Sequence, residues 1–340
     1  MRFAVDPWDP TYGTSLDVEP GTETGAEPSS AEIDVAVEVP EAAWAPVGHG
    51  SGVVLPETVL FVDGVRRVDA QIWVDEPDGV ASPALCASYA AGVVCCRAGE
   101  VAHLSTSLVR RALVTTRADA EDVVTTAGRY RASVTAERAD TAPMQVLSLA
   151  LQRELAEVEL VAAGTARDAL PGGSDLLVVD GPLRGRQHLP RVLGFVKSHR
   201  SEYLPAPLGA VVSRLRAGER TPVFRVGTSW SRYTWYLRLP CAPGAPWAGV
   251  VRVECGAELP AADAITMATL SQAVLPRYAS VEYKDSRAPQ NLYPIAGLER
   301  ALRRRLGEVP VLYRALRRAA AGPAVPVSAG RPAGSPGLGG

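Results

Sequence analysis

Two runs, Val59-Leu60-Phe61-Val62-Asp63-Gly64 and Leu176-Leu177-Val178-Val179-Asp180-Gly181, are near-copies of one another. Continuous aliphatic runs of this kind read as strands buried on both faces, inside a sheet that helices cover from either side. The Gly after each run predicts a sharp turn that ends the strand and leaves the Asp carboxylate at its mouth. A carboxylate there is costly unless it is hydrogen-bonded, ion-paired or bound to a cation. Two such strands in one sheet bring two carboxylates to one point, where like charges call for a divalent metal.

What lies between the two runs sets the order of the fold. Residues 68–74 and 89–97 have strand character, so with the first run they predict an antiparallel three-strand meander. Residues 144–163 form the clearest helix, with Pro143 suited to its start and Gly164 to its end. Met144, Leu147, Leu151, Leu155 and Val158 make one apolar stripe; Val146, Leu149 and Leu160 make a second on the opposite side. Glu154 and Glu157 fall on the edge between them, and Glu159 falls on the other edge and reads as solvated. The order is therefore a strand with Asp, two strands, a helix with Glu, and a strand with Asp. That is the order of a ribonuclease H-like α/β fold, a mixed β-sheet flanked by helices. Further helices are expected at 208–216, 262–273 and 296–306, with strands at 223–226, 234–239 and 249–254.

Charge is unevenly spread although the net value is only −2. Residues 1–60 hold eleven acids and a single basic residue, Arg2, so residues 1–56 read as an acidic arm. From Gly181 to Arg220 there are eight Arg or Lys against Glu202 and Glu219, and from Arg300 to Ala320 seven Arg against Glu308. A neutral total thus conceals local anion-binding character. Only two lysines occur, Lys197 and Lys284, as if retained where a compact point charge is needed. The five cysteines show no C-x-x-C pair and read as free thiols of a cytoplasmic protein. No apolar run approaches a membrane span, and residues 321–340, rich in Pro, Gly, Ala and Ser, read as a disordered tail.

Asp63, Glu157 and Asp180, with Glu154 as the alternative on the helix, are a hard-oxygen set suited to two Mg²⁺ or Mn²⁺ ions and to in-line displacement at phosphorus. Arg184, Arg186, Arg191, Lys197 and Arg200 follow Asp180 and would meet a phosphodiester backbone, Lys197 as a contact to the reacting phosphate.

The ordered motifs resemble the NurA nucleases, prokaryotic enzymes that work with the hexameric translocase HerA in DNA end processing. They are Phe61-Val62-Asp63-Gly64, the glutamate-bearing helix, and Leu177-Val178-Val179-Asp180-Gly181-Pro182-Leu183. Gly194-Phe195-Val196-Lys197-Ser198, Val250-Val251-Arg252-Val253-Glu254 and Leu292-Tyr293-Pro294-Ile295 follow in sequence. The resemblance implies a metal-dependent deoxyribonuclease with Asp63, Glu157 and Asp180 as ligands. Glu299 stands where the family often has His, and becomes a fourth ligand. Tyr283-Lys284-Asp285-Ser286-Arg287 would face the same cleft, with Lys284 and Arg287 among the DNA contacts. The resemblance also implies a homodimer that caps a HerA-like hexameric ATPase. Val65 and Pro182 replace the Ser that the family usually has after Asp-Gly. The alternative expectation is a non-catalytic docking subunit of a translocase.

Overall fold

The computed structural model describes residues 1–6, 27–28, 31–50, 52–75, 81–170, 172, 174–198, 201–242, 244–281, 283 and 288–322. Three short strands open the chain: β1 (Phe3–Val5), β2 (Glu27–Pro28) and β3 (Glu32–Asp34). A meander follows, made of β4 (Thr58–Asp75), β5 (Ala81–Arg97) and β6 (His103–Thr115). After the small strands β7 (Val123–Thr125) and β8 (Gly128–Val134) comes the long helix α1 (Pro143–Asp168). The second half holds β9 (Asp175–Asp180), β10 (Val192–Val196), β11 (Ser201–Glu202), α2 (Ala206–Ser213), β12 (Phe224–Gly227), β13 (Ser231–Arg238) and β14 (Val250–Gly256). Helices α3 (Ala261–Val274), α4 (Tyr293–Arg305) and α5 (Val309–Ala320) close the chain.

The molecule is a mixed α/β structure built on one large sheet. Twelve of the described strands form it, in the order β3-β12-β13-β14-β10-β9-β4-β5-β6-β8-β7, with β1 alongside β4. At its centre β9 is parallel to both β4 and β10, while β5 and β6 continue antiparallel on one side and β14 on the other.

Strand alternation decides which side chain faces which layer. Leu60 and Val62 of β4, with Leu177 and Val179 of β9, pack against Leu147, Leu151, Leu155 and Val158 of α1. Val59 and Phe61, with Leu176 and Val178, pack on the opposite face in a core that includes Leu270 and Val274 of α3 and Leu298 and Leu302 of α4. Carrying the alternation one step further puts Asp63 and Asp180 on the α4 face and Gly64 on the α1 face.

Several expectations change. The first Asp-Gly does not end its strand: β4 runs on to Asp75, because its antiparallel pairing with β5 continues after its parallel pairing with β9 stops at Val62 and Val179. Residues 68–74 are therefore the continuation of β4 past a bulge at Asp69, not a second strand. That bulge tucks a fully buried carboxylate against the hydroxyls of Ser88 and Tyr130 and the guanidinium of Arg67. Helix α1 passes straight through Gly164, whose missing side chain would meet only open space, and ends at Asp168. Residues 31–50 belong to the body of the fold. There β3 pairs with β12, Trp44 packs with Phe224, and Glu38 takes two hydrogen bonds from the buried guanidinium of Arg220. No helix among the described residues is long and apolar enough to cross a membrane. All five cysteines are free. Of the expected tail, residues 323–340 lie outside the described residues.

Candidate metal centre

The parallel pairs β4–β9 and β9–β10 deliver their side chains to one level of the sheet. Asp63 follows the last paired residue of β4, Asp180 is the last residue of β9, and Lys197 follows the last residue of β10. Gly181 has a positive φ of 108°, which lets the chain turn away immediately after Asp180. Helix α4 lies on the same face and projects Glu299 toward both aspartates. One carboxylate oxygen from each of Asp63, Asp180 and Glu299 lies within 4.8 Å of the others.

Asp63 carries the largest electrostatic burden. Its Oδ1 accepts the Gly64 backbone N–H at 2.8 Å, whereas its buried Oδ2 has no hydrogen-bond partner among the described residues. Burial raises its pKa well above the ordinary carboxylate value, and the negative charges of Asp180, Glu159 and Glu299 raise it further. Asp180 is answered by Lys197, whose Nζ lies 2.7 Å from Oδ2 and 3.4 Å from Oδ1 of the buried Asn291. The set is thus three converging carboxylates, one of them with a buried oxygen that has no hydrogen-bond partner among the described residues, beside the Lys197 ammonium. Hard oxygen donors in this number fit Mg²⁺ or Mn²⁺.

The helix glutamates are arranged differently from expectation. Glu157 is exposed on α1 and does not join the carboxylate group. Glu154 is held elsewhere, accepting hydrogen bonds from Tyr89 Oη at 2.9 Å and Ser133 Oγ at 2.6 Å. Glu159, expected in solvent, is the buried one: it lies beneath Gly64 on the α1 face and forms an ion pair with Arg186. A Cβ on Gly64 would sit 2.5 Å from Glu159 Oε1, so only Gly permits this approach. Burial raises the pKa of Glu159 as well, against the lowering effect of Arg186. The reason for the exchange is the layer order. Helix α1 lies across the sheet from both aspartates, so its glutamate packs into the gap that Gly64 leaves on the α1 face and does not join the carboxylate group.

Of the expected DNA contacts, Arg184 is exposed in the loop after Asp180. Arg186 is committed to Glu159 with only 11% of its side chain accessible, so it is an internal counter-ion and not a surface cation. Arg200, Lys284 and Arg287 lie outside the described residues. Sequence reasoning passed over Asn291 and Glu159. Gly64 inside a strand was the available signal for a close approach at that point. Compared with known proteins, the chain matches no protein-family model and no curated protein.

Proposed function

We propose that the chain is a divalent-metal-dependent deoxyribonuclease that hydrolyses phosphodiester bonds, with a ribonuclease H-like sheet at its centre. The observation that carries this reading is the buried Asp63 carboxylate, whose Oδ2 has no hydrogen-bond partner among the described residues and one of whose oxygens lies within 4.8 Å of oxygens of Asp180 and Glu299. An acidic cluster of that kind is stabilised by cations and is expensive without them. The order β6-β5-β4-β9-β10, with β9 parallel to its two neighbours, supports the ribonuclease H-like reading.

In this reading Asp63, Asp180 and Glu299 hold Mn²⁺ or Mg²⁺, and the bound metal would activate water and neutralise the leaving oxygen. The residues of the chain do the rest. Lys197 holds Asp180 in register through its 2.7 Å contact and presents its remaining N–H donor to a non-bridging phosphate oxygen. Asn291 Oδ1 accepts from the same ammonium and orients it. Glu159, locked to Arg186 across β4, adds negative potential behind Asp63 and strengthens its hold on a cation. Arg184 follows the phosphate backbone away from the centre. The homodimer and the HerA-like ATPase partner rest on the motif resemblance and belong to the same proposal.

The test is cleavage of labelled single-stranded DNA in Mn²⁺. The parent chain is expected to cut, and Asp63→Asn and Asp180→Asn to be slower by about 10³-fold or more. Cleavage by Asp63→Asn at the parental rate overturns the assignment.

A further inference from the structure

The face of the sheet that carries α1 has a seam. Helix α1 covers β4, β5 and β9, while Leu208, Val211 and Val212 of α2 cover Phe224, Val226, Tyr236 and Val250. Between these two cores lies a charged cluster in place of an apolar one. Arg252 and Glu254 project from β14 and Arg232 from β13, all three less than a tenth exposed. Glu254 is the single carboxylate that the two guanidiniums meet among the described residues, at 3.2 Å from Arg232 Nε and 3.5 Å from Arg252 Nη2. Its other oxygen is taken by the Leu183 backbone N–H at 2.7 Å. The remaining neighbours are neutral: Arg232 donates to Thr228 Oγ1 at 3.5 Å, hydrogen-bonds Tyr203 and lies 4.7 Å from the Trp230 ring centroid, and Arg252 lies 5.0 Å from that of Tyr203.

Two buried guanidiniums against one carboxylate leave a net positive charge in a region of low dielectric. Buried charges are ordinarily paired, because an uncompensated one is strongly destabilising. Ring faces repay only part of this cost. Arg252 Nη1 is moreover buried with no hydrogen-bond partner among the described residues. Position adds a second argument. Arg252 is paired with Val196, and Phe195 with Asp180, so Arg252 stands at the level where the aspartates end, two strands away. Two strand spacings are roughly 10 Å. The loop that leaves Asp180 reaches the cluster directly, since Leu183 bonds Glu254.

We propose that Arg252 and Arg232 form a phosphate-binding site at the seam between α1 and α2, roofed by Tyr203 and Trp230. A phosphate oxygen takes the open Nη1 donor of Arg252 and completes the charge that Glu254 leaves unmatched; the guanidinium fork suits a tetrahedral oxyanion. The half-buried rings would stack on a base attached to that phosphate. This site requires no hydrolysis and stands apart from the nuclease reading.

The experiment is calorimetric titration of the full chain with inorganic phosphate in EDTA, at ionic strength matched with chloride. Saturable binding is expected, weakened at least about tenfold in Arg252→Gln, the effect of one charge-assisted contact. Glu254→Gln keeps an oxygen for the Leu183 N–H and removes the internal anion, so it is expected to tighten phosphate binding several-fold. The opposite signs of the two variants set an anion site apart from a purely structural cluster, and Glu254→Gln alone decides if Arg252→Gln fails to fold. A trinucleotide binding more tightly than phosphate, with the loss again in Arg252→Gln, identifies a polynucleotide backbone as the source. Equal affinity for the two identifies a free phosphate. No phosphate binding beyond the chloride control, or the same response in both variants, overturns the proposal. Because EDTA removes metal from every titration, that failure would leave Mn²⁺-dependent cleavage untouched.

Discussion

Replacing Asp63 by Asn should make the metal-free protein more stable and the metal-loaded protein relatively less so. In the folded chain the Asp63 carboxylate is buried, has one oxygen without a hydrogen bond, and faces Asp180, Glu159 and Glu299, all of which raise its pKa. A group whose folded pKa lies above its unfolded value contributes fully to stability below the unfolded pKa. That contribution is lost as pH rises through the folded pKa, at about 1.4 kcal/mol per unit of separation. At pH 8 the parent therefore carries more of this penalty than in acid, and an isosteric amide carries none. An unmet buried charged acceptor is worth roughly 1–3 kcal/mol. The Asn amide can also donate to the carboxylates within 4.8 Å. The expected gain in chelator at pH 8 is about 2–6 °C in Tm, scaled from domains somewhat smaller than this chain. It should shrink as pH falls and vanish only well below the unfolded carboxylate pKa of about 3.9, where Asp63 is protonated in both states. With Mn²⁺ at a hundred times its Kd the parent gains about 2.7 kcal/mol that Asp63→Asn cannot, and the order of the two melting curves reverses. Mn²⁺ should also bind the parent more tightly as pH rises, since binding displaces protons from the carboxylates. The assay is a melting series at pH 4, 6 and 8 with EDTA or Mn²⁺. A less stable Asp63→Asn at pH 8 in EDTA, or an advantage that grows as pH falls, refutes the reasoning.

Four further variants separate the residues around the centre. Glu157→Ala, on the exposed side of α1, should leave cleavage unchanged and move stability by no more than about 0.5 kcal/mol, whereas Glu299→Gln should weaken Mn²⁺ binding at least about tenfold by calorimetry. Lys197→Met should slow cleavage by about 10²-fold while leaving Mn²⁺ affinity equal or tighter, because the ammonium competes with metal for Asp180; weaker metal binding would show Lys197 to be a structural support instead. Gly64→Ala should cost roughly 1–3 kcal/mol in urea unfolding, since its Cβ would lie 2.5 Å from Glu159 Oε1 and 2.7 Å from Leu155 Cδ1; unchanged stability would mean that the α1 face is looser than its packing implies.

Much of this architecture was legible because its signals are local. The aliphatic runs, the Pro143 start of α1 and the punctuated strands of the second half each report on residues close in sequence. What stayed hidden depends on distant partners. A Gly after an apolar run is compatible with a turn or with a strand that needs room on one face. The choice at Gly64 is made by β5, which pairs across the whole hairpin, and by α1, which lies against the gap. At Gly181 the pairing is reduced to one bridge to Phe195, and there the same two letters do end a strand. The burial of Arg186 has the same origin, since nothing near it in sequence announces Glu159.

The layer order also explains why Glu159, and neither Glu154 nor Glu157, is the α1 glutamate whose charge acts on Asp63. Counting along α1 identifies edges and stripes, but not which edge points at a given strand residue. Glu154 and Glu157 share an edge with Ala150, and that edge runs from Ser133 and Tyr89 out to solvent. Glu159 instead sits beside Leu155 under Gly64, the one residue of β4 near Asp63 with no side chain to block it. Because α1 and α4 lie on opposite faces, the acids whose charge Asp63 feels arrive from two sides, Glu299 on the α4 face and Glu159 on the α1 face. Glu159 brings the Arg186 guanidinium with it. A metal held from above by Asp63, Asp180 and Glu299 would leave the Glu159–Arg186 pair intact, as a neutral brace whose carboxylate end is the nearer to Asp63.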